Sequence, residues 1–195
     1  ISGGLVGSEM CIRDSNPALS SAMRQGSTAC VFLLATQTWS QHHWSQHKAA
    51  FLLRVLESLT DQLAKLGVPL QILDAPNFDD APGHLLRFSR EIGAKKLFFN
   101  REYPVDEKVR DERVHNTLEE NGIECEPYDS FLVVPPNRIL KDDGHPYSVF
   151  TPFKRKWLSK AEGEGLRSLP CPRPQQSRVL ETKIPGEILS TRANL

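Results

Sequence analysis

The sequence lacks the short motifs that mark several common classes of enzyme. It contains no GxGxxG segment, no GxxxxGK segment followed by Ser or Thr, and no GxSxG segment. The glycine-rich motifs bring backbone N–H groups to a phosphate, and the last one exposes a nucleophilic serine. We therefore do not expect a dinucleotide-dependent dehydrogenase, a P-loop nucleotidase or an α/β hydrolase.

The cysteines are unsuited to a shared site. Cys11, Cys30, Cys125 and Cys171 lie far apart and form no CxxC pair, whereas zinc sites and redox dithiols use closely spaced cysteines. Their spacing predicts neither kind of site, and it favours idle thiols in a reducing cytoplasm.

Neither a charge excess nor a long apolar run is present. The 24 Lys and Arg residues balance 24 Asp and Glu residues, so the composition does not point to a nucleic-acid partner, although it does not exclude one. No apolar run approaches the roughly 20 residues that cross a bilayer. The start also lacks the basic and apolar regions of a secretory signal. A chain of 195 residues is expected to form one domain with a tail.

Short apolar segments alternate with amphipathic ones along the first two thirds of the chain. The pattern predicts strands at 30–35, 68–73, 95–100 and 123–128, and helices at 45–66, 83–92 and 104–120. This alternation is typical of βαβ units, which build an open parallel sheet with helices on both faces. We therefore predict an α/β fold with a doubly wound parallel sheet. Beyond Tyr128 one further helix is predicted near 152–161, and a proline-rich linker follows.

Aromatic and imidazole side chains cluster after the first predicted strand, at Trp39, His42, His43, Trp44 and His47. These rings can stack on a flat heterocycle and hydrogen-bond to it. The alternative is a set of surface histidines at the entrance of a helix. His43 and His47 have the spacing of a chelating pair if they are helical, but no third ligand is evident and we predict no metal site.

Carboxylates follow the third predicted strand, in the segment NREYPVDEKVRDERV. Ligands of open α/β sheets bind beyond the carboxyl ends of the strands, which is where Asp106 and Glu107 are expected. A carboxylate can accept two parallel N–H bonds from a pterin or guanine edge. The alternative is a solvated helix face whose acidic residues stabilise the helix N-terminus.

The segment YSVFTPFKRKW combines aromatic side chains with Lys154, Arg155 and Lys156. It could hold an anion or a nucleic-acid backbone, or it could pack a short helix against a neighbouring domain. The residues alone leave both interpretations open.

The chain resembles the N-terminal antenna domain of the DNA photolyase and cryptochrome family. Order and spacing agree in three segments: ATQTWSQHHWSQHKAAFLLRVLESLTDQLAKLGVPL, NREYPVDEKVRDERV and VVPPNRILKDDGHPYSVFTPFKRKWL. The resemblance implies a Rossmann-like antenna domain at 16–160 that binds a light-harvesting pigment. It also implies a linker at 161–195 towards a helical FAD-binding domain that the chain does not include.

The family also suggests which residues bind the pigment. In its folate-type members the pigment is methenyltetrahydrofolate, held by a loop histidine and by an Asn-Glu pair in an EYxVNE segment. Matched by position, these residues are His42, Asp106 and Glu107 here. Asp106 departs from the pattern, because an ionised carboxylate cannot donate hydrogen bonds as an amide does. The resemblance therefore implies folate binding with one hydrogen bond changed, weaker binding, or a different pigment.

Residues 1–15 do not match the family. NPALSSAM resembles the DNxAL segment at the start of the family's first helix, but LVGSEMCIRDS stands where the family has its first strand and a WFRxDLR segment. That run is similar to the translation of a transposase sequencing adapter. We therefore expect residues 1–15 to be adapter-derived and the first, central strand of the sheet to be missing.

The resemblance implies a fragment of a deoxyribodipyrimidine photolyase, a carbon–carbon lyase that uses light to split cyclobutane pyrimidine dimers in DNA. FAD and UV-damaged DNA would then bind the C-terminal domain, and this chain would hold no catalytic residue. The parent is expected to be a cytoplasmic monomer that does not bind membranes. The alternative is a cryptochrome-like blue-light photoreceptor without repair activity. A third hypothesis is an unrelated α/β nucleotide-binding or interaction domain.

Overall fold

The computed structural model describes residues 16–130, 132–164 and 169–176, together with the backbone of 2–5. Five strands alternate with six helices in this part of the chain. In chain order they are β1 (Ser2–Leu5), α1 (Pro17–Gln25), β2 (Thr28–Leu34), α2 (Thr36–Gln41), α3 (Gln46–Lys65), β3 (Leu70–Asp74), α4 (Ala81–Ile92), β4 (Lys96–Asn100), α5 (Val105–Glu120), β5 (Glu124–Tyr128) and α6 (Phe150–Glu164).

The strands form one parallel sheet in the order β3-β2-β1-β4-β5. In its register Cys30 lies opposite Leu70, and Lys96 lies opposite Glu124. The chain winds outward from β1 in one direction to β3 and then crosses to β4 and β5 on the other side. The predicted doubly wound α/β fold is confirmed.

Alternate side chains of β2 enter two different hydrophobic cores, as the pleat of a strand requires. Cys30, Phe32 and Leu34 face the core that α1 and α3 complete, where Leu63 is fully buried. Ala29 and Val31 face the core that α4 and α5 complete. Burying one leucine side chain contributes about 1.5–3 kcal/mol, so both layers of helices hold the sheet. Helices packed on both faces of the sheet therefore hold its carboxyl edge in place.

Side-chain caps set where two helices begin. The Asn16 Oδ1 atom accepts a hydrogen bond from the Leu19 N–H at 2.9 Å, and Ser45 Oγ accepts one from the Lys48 N–H at 3.2 Å. Each cap satisfies a backbone donor that has no partner inside the helix. Gly93 ends α4 in the left-handed region with φ 68°, a conformation that glycine adopts without steric cost.

The prediction of a missing central strand is wrong. Residues Ser2–Leu5 form β1 between β2 and β4, with Gly4 opposite Cys30 on one side and Phe98 on the other. The physical reason is that ladder hydrogen bonds join only backbone atoms, so a segment without any strand periodicity can fill the position. That residues 1–15 are adapter-derived stays a prediction.

The other predicted elements agree with the structure to within a few residues, with one addition. The segment Thr36–Gln41, which lies between the predicted strand at 30–35 and the predicted helix at 45–66, forms the short helix α2. The carbonyl oxygen of Pro76 accepts hydrogen bonds from the N–H groups of Gln37 and Thr38 at 3.0 and 3.2 Å. Contacts across the sheet edge therefore stabilise a helix that carries no apolar period of its own.

Part of the predicted linker lies against the domain. The side-chain amide of Gln175 accepts a hydrogen bond from the Thr28 N–H at 3.0 Å and donates to the carbonyl oxygens of Thr28 and Gly67 at 2.8 and 3.0 Å. The Gln175 N–H also donates to Leu66 O at 2.9 Å. The tail is thus attached at the amino end of β2. The linker residues 165–168 and 177–195, like residues 6–15, lie outside the described residues.

None of the described helices combines the length and the apolar character that a bilayer crossing requires.

Candidate functional site

The candidate site lies where β2, β3 and β4 end. In a parallel sheet these carboxyl ends share one edge, and the loops that follow them build the ligand sites of open α/β folds. The loop after β2 contains α2 and Trp44, the loop after β3 contains Asn77 and Phe78, and the loop after β4 leads into α5. Two adjoining cavities open between these loops.

The inner cavity has a volume of about 120 Å³ and mostly apolar walls. Two indoles form one part of the wall: the rings of Trp39 and Trp44 are stacked, with centroids 4.9 Å apart and planes inclined by 6°. Lys48 Nζ lies 3.5 Å from the centroid of the Trp44 ring, and this cation–π contact fixes the outer indole. The remaining lining residues are Phe32, Leu33, Ala35, Leu52, Ala75, Asn77, Phe78, Ala81, Glu102, Glu107 and Arg110.

The outer cavity is larger, about 400 Å³, and more polar. It shares the walls Asn77, Phe78 and Arg110 with the inner cavity. His42 and Asp106 lie in its wall, with His42 Nε2 at 3.5 Å from Asp106 Oδ2 and both side chains more than half exposed. The two cavities therefore form a groove that is apolar at one end and polar at the other.

Arg110 holds the wall between the cavities in place. Its guanidinium donates to Glu102 Oε2 at 2.8 Å and to Asp111 Oδ1 at 2.7 Å, and it lies 4.9 Å from the centroid of the Phe78 ring. Burial acts to lower the pKa of Arg110, but the carboxylates of Asp111 and Glu102 outweigh it and raise the pKa above its ordinary value. Burial also raises the pKa of Asp111, against the opposing effect of Arg110.

Glu107 is the free carboxylate of the inner cavity. It lies half-buried in the first turn of α5, three residues before Arg110, whose guanidinium is already bound to Glu102 and Asp111. Among the described residues, no side chain or backbone group forms a hydrogen bond or ion pair with Glu107. Glu107 can therefore accept two parallel N–H bonds from a bound heterocycle.

The residues predicted from the sequence fall on both parts of the groove. His42 and Asp106 lie together in the outer cavity, and Glu107 lines the inner one. His43 does not form the helical chelating pair considered for it, because it lies before α3 in a turn with φ 53°. Phe78 and Arg110 were not among the predicted site residues. Their positions after β3 and in the first two turns of α5 are the sequence signals that point to them.

The basic segment lies on α6, and several of its apolar neighbours are exposed. Val149 and Phe150 expose 60% and 72% of their surface, and the ring of Phe153 contacts those of Tyr147 and Phe150 at centroid distances of 6.5 and 6.4 Å. An amphipathic helix of this kind fits the predicted packing against a neighbouring domain as well as the predicted anion contact, so both interpretations stay open.

Comparison with known proteins adds to this geometry. The sequence model described as DNA photolyase matches residues 12–175. The chain belongs to the DNA photolyase family. It is 34% identical over 145 residues to a deoxyribodipyrimidine photo-lyase of Vibrio cholerae, covering 74% of this chain and 31% of the relative. It is 27% identical to the deoxyribodipyrimidine photo-lyase of Escherichia coli, and the match covers 85% of this chain and 35% of that relative. It is also 29% identical to cryptochrome-1 of Arabidopsis thaliana, where the match covers 75% of this chain and 21% of that relative.

Solved structures of family members share this fold. An archaeal photolyase from Sulfolobus tokodaii, described with two FAD molecules, matches with a TM-score of 0.72 at 19% identity, over 98% of this chain and 42% of that one. A bacterial class III photolyase from Agrobacterium tumefaciens matches with a TM-score of 0.67 at 22% identity, over 97% of this chain and 38% of that one. The chain thus spans roughly a third of the length of the photolyases it matches.

Proposed function

We propose that this chain is the antenna-binding part of a deoxyribodipyrimidine photolyase, which repairs cyclobutane pyrimidine dimers in DNA with light. The names of the relatives from Vibrio cholerae and Escherichia coli support this activity, and the groove at the carboxyl edge of the sheet supports the binding role. Dimer cleavage, FAD and damaged DNA belong to the part of the protein outside this chain. The parent acts as a cytoplasmic monomer.

The observation that carries the binding role is the carboxylate of Glu107, which has no partner among the described residues and lines a mostly apolar cavity beside stacked indoles. A pterin ring matches this arrangement, because it presents adjacent N–H donors at its edge and flat faces to neighbouring rings. The residues present therefore fit methenyltetrahydrofolate. When bound, this pigment absorbs near-ultraviolet or blue light and passes the excitation energy to FAD.

His42 and Asp106 take the outer part of the same ligand in this proposal. They face the polar cavity next to the inner one, where the part of the folate beyond its pterin ring would lie. Asp106 offers only acceptor atoms when ionised and lies 3.5 Å from the imidazole. We therefore propose that the ligand either donates hydrogen bonds to Asp106 or contacts the imidazole of His42. We expect the affinity to be lower than that of a protein with an amide side chain at position 106.

Titration of the chain with methenyltetrahydrofolate tests the antenna proposal. Fluorescence of the pigment should report binding to the native chain. The variant Glu107→Gln should reduce the affinity roughly tenfold, since it replaces one of two accepting oxygens by a donor and removes the charge. The variant Glu120→Gln changes an exposed carboxylate at the end of the same helix and should bind like the native chain. Equal affinity of Glu107→Gln and native protein would show that the assigned role is wrong.

A cryptochrome is the second candidate function. It is favoured by the 29% and 30% identity to two cryptochromes of Arabidopsis thaliana. The two candidates differ in the activity of the full-length parent. We expect illumination to convert dimer-containing DNA back to intact DNA in the presence of that protein. Reduction of its flavin by light without any loss of dimers would instead establish the photoreceptor.

A further inference from the structure

Three side chains with metal-binding atoms meet on α5 and β5, away from the antenna groove. His115 and Glu119 are four residues apart and therefore share one face of α5, and Cys125 follows on β5. One ligand atom of each, a ring nitrogen, a carboxylate oxygen and Sγ, lies within 4.8 Å of the other two. His115 lies about 12 Å along the helix from Glu107, so this cluster is separate from the candidate pigment site.

A hydrogen bond between a side chain and the backbone holds two members of the cluster together. Glu119 Oε1 accepts a hydrogen bond from the Cys125 N–H at 2.7 Å, which fixes the carboxylate beside the thiol and leaves its second oxygen available. The Cys125 thiol is buried and makes only a long contact of 3.9 Å to Ile123 O. Within the described part of the chain, the His115 ring has no hydrogen-bond partner.

The surroundings of the thiol favour a cation. The carboxylates of Glu119 and Glu124 lie near the Cys125 thiol. The same negative charges lower the electrostatic energy of a positive ion at this place. Glu124 is paired with Lys96 at 2.9 Å, so we do not count its carboxylate among the ligands. Of the three side chains, His115 lines a cavity of about 480 Å³, which gives water access to its ring.

We propose that His115, Glu119 and Cys125 bind one divalent transition-metal ion, with Zn²⁺ the ion that their donor set favours. Nitrogen, oxygen and sulfur donors together suit Zn²⁺ rather than Mg²⁺ or Ca²⁺, which require oxygen ligands. Ligand atoms around a tetrahedral zinc ion are about 3.5 Å apart, so small side-chain rotations would close the site. Water from the cavity beside His115 supplies the fourth ligand.

Binding at this place joins the end of α5 to β5. The Cys125 thiol loses its proton to solvent and binds as a thiolate, while the imidazole binds in its neutral form. An ion that binds only the folded chain stabilises it. The site therefore acts as a structural cross-link at the edge of the sheet, independent of the proposed pigment and of the reaction.

Cobalt substitution provides a direct test on the 195-residue chain. After treatment with a chelator, addition of Co²⁺ should produce a thiolate-to-cobalt charge-transfer band and the visible bands of a tetrahedral ion, saturating at one equivalent. Zn²⁺ should displace the cobalt. The variants Cys125→Ser, His115→Gln and Glu119→Gln should each weaken Co²⁺ binding at least about tenfold, whereas Cys171→Ser, which changes an exposed cysteine of the tail, should leave it unchanged.

Two of these variants are expected to fold, so that weaker Co²⁺ binding by them cannot be attributed to unfolding. His115→Gln and Glu119→Gln change polar positions on the outer part of α5, and glutamine at 119 keeps an oxygen that can accept the Cys125 N–H bond. Circular dichroism should show them folded. No charge-transfer band with the native chain, or a band that keeps its strength in folded His115→Gln and Glu119→Gln, overturns the proposal. So does a band that disappears in Cys171→Ser.

Discussion

Asp106 and Glu107 are neighbours in the first turn of α5, yet their surroundings differ. Asp106 lies on the exposed side of the turn against His42, whereas Glu107 lines the mostly apolar inner cavity between the loops. Both carboxylates are placed favourably for the helix dipole, so their presence alone does not separate a stabilising role from a binding role. The free carboxylate of Glu107 makes that distinction.

The exchange of Asp106 for asparagine tests the departure of this chain from its family pattern. An amide at 106 can donate as well as accept, so Asp106→Asn should raise the affinity for methenyltetrahydrofolate several-fold in a fluorescence titration. The lost exposed pair with His42 should change the free energy of unfolding by no more than about 1 kcal/mol. Asp61→Asn on α3 serves as the control. A drop in affinity would mean that the ligand needs the carboxylate.

Glu126 gives the protein a specific sensitivity to acid. Hydrogen bonds from Tyr128 and from Gln25, the latter at 3.1 Å, and the charge of Lys96 lower the pKa of Glu126 below its usual 4.5. A carboxyl with a lowered folded-state pKa stabilises the fold above its unfolded pKa, and this stability is lost as pH falls below that value, because the unfolded chain takes up the proton first.

Urea unfolding at about pH 7 and about pH 3.5 measures this contribution. Glu126→Gln should be less stable than the native chain at neutral pH and should lose less stability on acidification. Glu120→Gln, whose carboxylate is exposed and has no hydrogen bond among the described residues, should keep the native pH dependence. If Glu126→Gln loses as much stability on acidification as the native chain, Glu126 does not cause that loss.

Among the secondary-structure elements, the entrance of α3 connects stability with the candidate site. Ser45 caps the helix through Lys48, and the ammonium group of Lys48 lies over Trp44, which stacks on Trp39. Loss of the cap would therefore loosen the turn that holds both indoles at the inner cavity.

Ser45→Ala should lower the free energy of unfolding by about 1 kcal/mol, the usual cost of losing a helix cap. Ser45→Asn keeps a capping oxygen and should be close to native. Thermal or urea unfolding measures both, and quenching of tryptophan fluorescence by iodide should increase only in Ser45→Ala. Equal stability of the alanine and asparagine variants would mean that the cap contributes nothing here.

The elements differ in how far the sequence predicts them. For α3, apolar side chains at helical spacing mark the buried face, so local sequence determines the helix. In α5 the same spacing predicts the helix, but only Val114 and Leu118 are buried, while Val105 and Val109 are exposed. For α2 the hydrogen bonds to Pro76 O are decisive, and a contact between residues so far apart in the chain has no local signal. His42, Asp106 and Glu107 came from a family pattern. These residues line two different cavities, which are separated by a wall that contains Phe78 and Arg110. Only tertiary packing brings Phe78 and Arg110 together in that wall.

At the scale of the whole molecule, the stability of the sheet depends on β1, which occupies its central position. Its register leaves Gly4 between Cys30 and Phe98, so removal of residues 1–15 exposes one edge each of β2 and β4. We expect the shortened chain to unfold at much lower urea concentration than the intact one, because buried N–H and C=O groups lose their partners.

The variant Gly4→Pro makes the same test without shortening the chain. Proline removes a ladder donor from the middle of a sheet, so the urea midpoint should fall in this variant as well. Gly163→Ala, at a position on α6 where an added methyl group meets nothing, should not lower it. If both changes near the N-terminus leave the midpoint where it was, the segment does not contribute to the sheet.

The place of β1 also governs how the molecule folds. The first strand of the chain lies in the middle of the sheet, and Ser2 pairs with Thr28 on one side and with Lys96 on the other. Such non-local pairing closes a long loop before it gains any hydrogen bonds, which slows folding. On a ribosome, the sheet cannot close until β4 has emerged. Until the later elements follow, the face of β2 that packs against α4 and α5 stays accessible to chaperones and to other nascent chains.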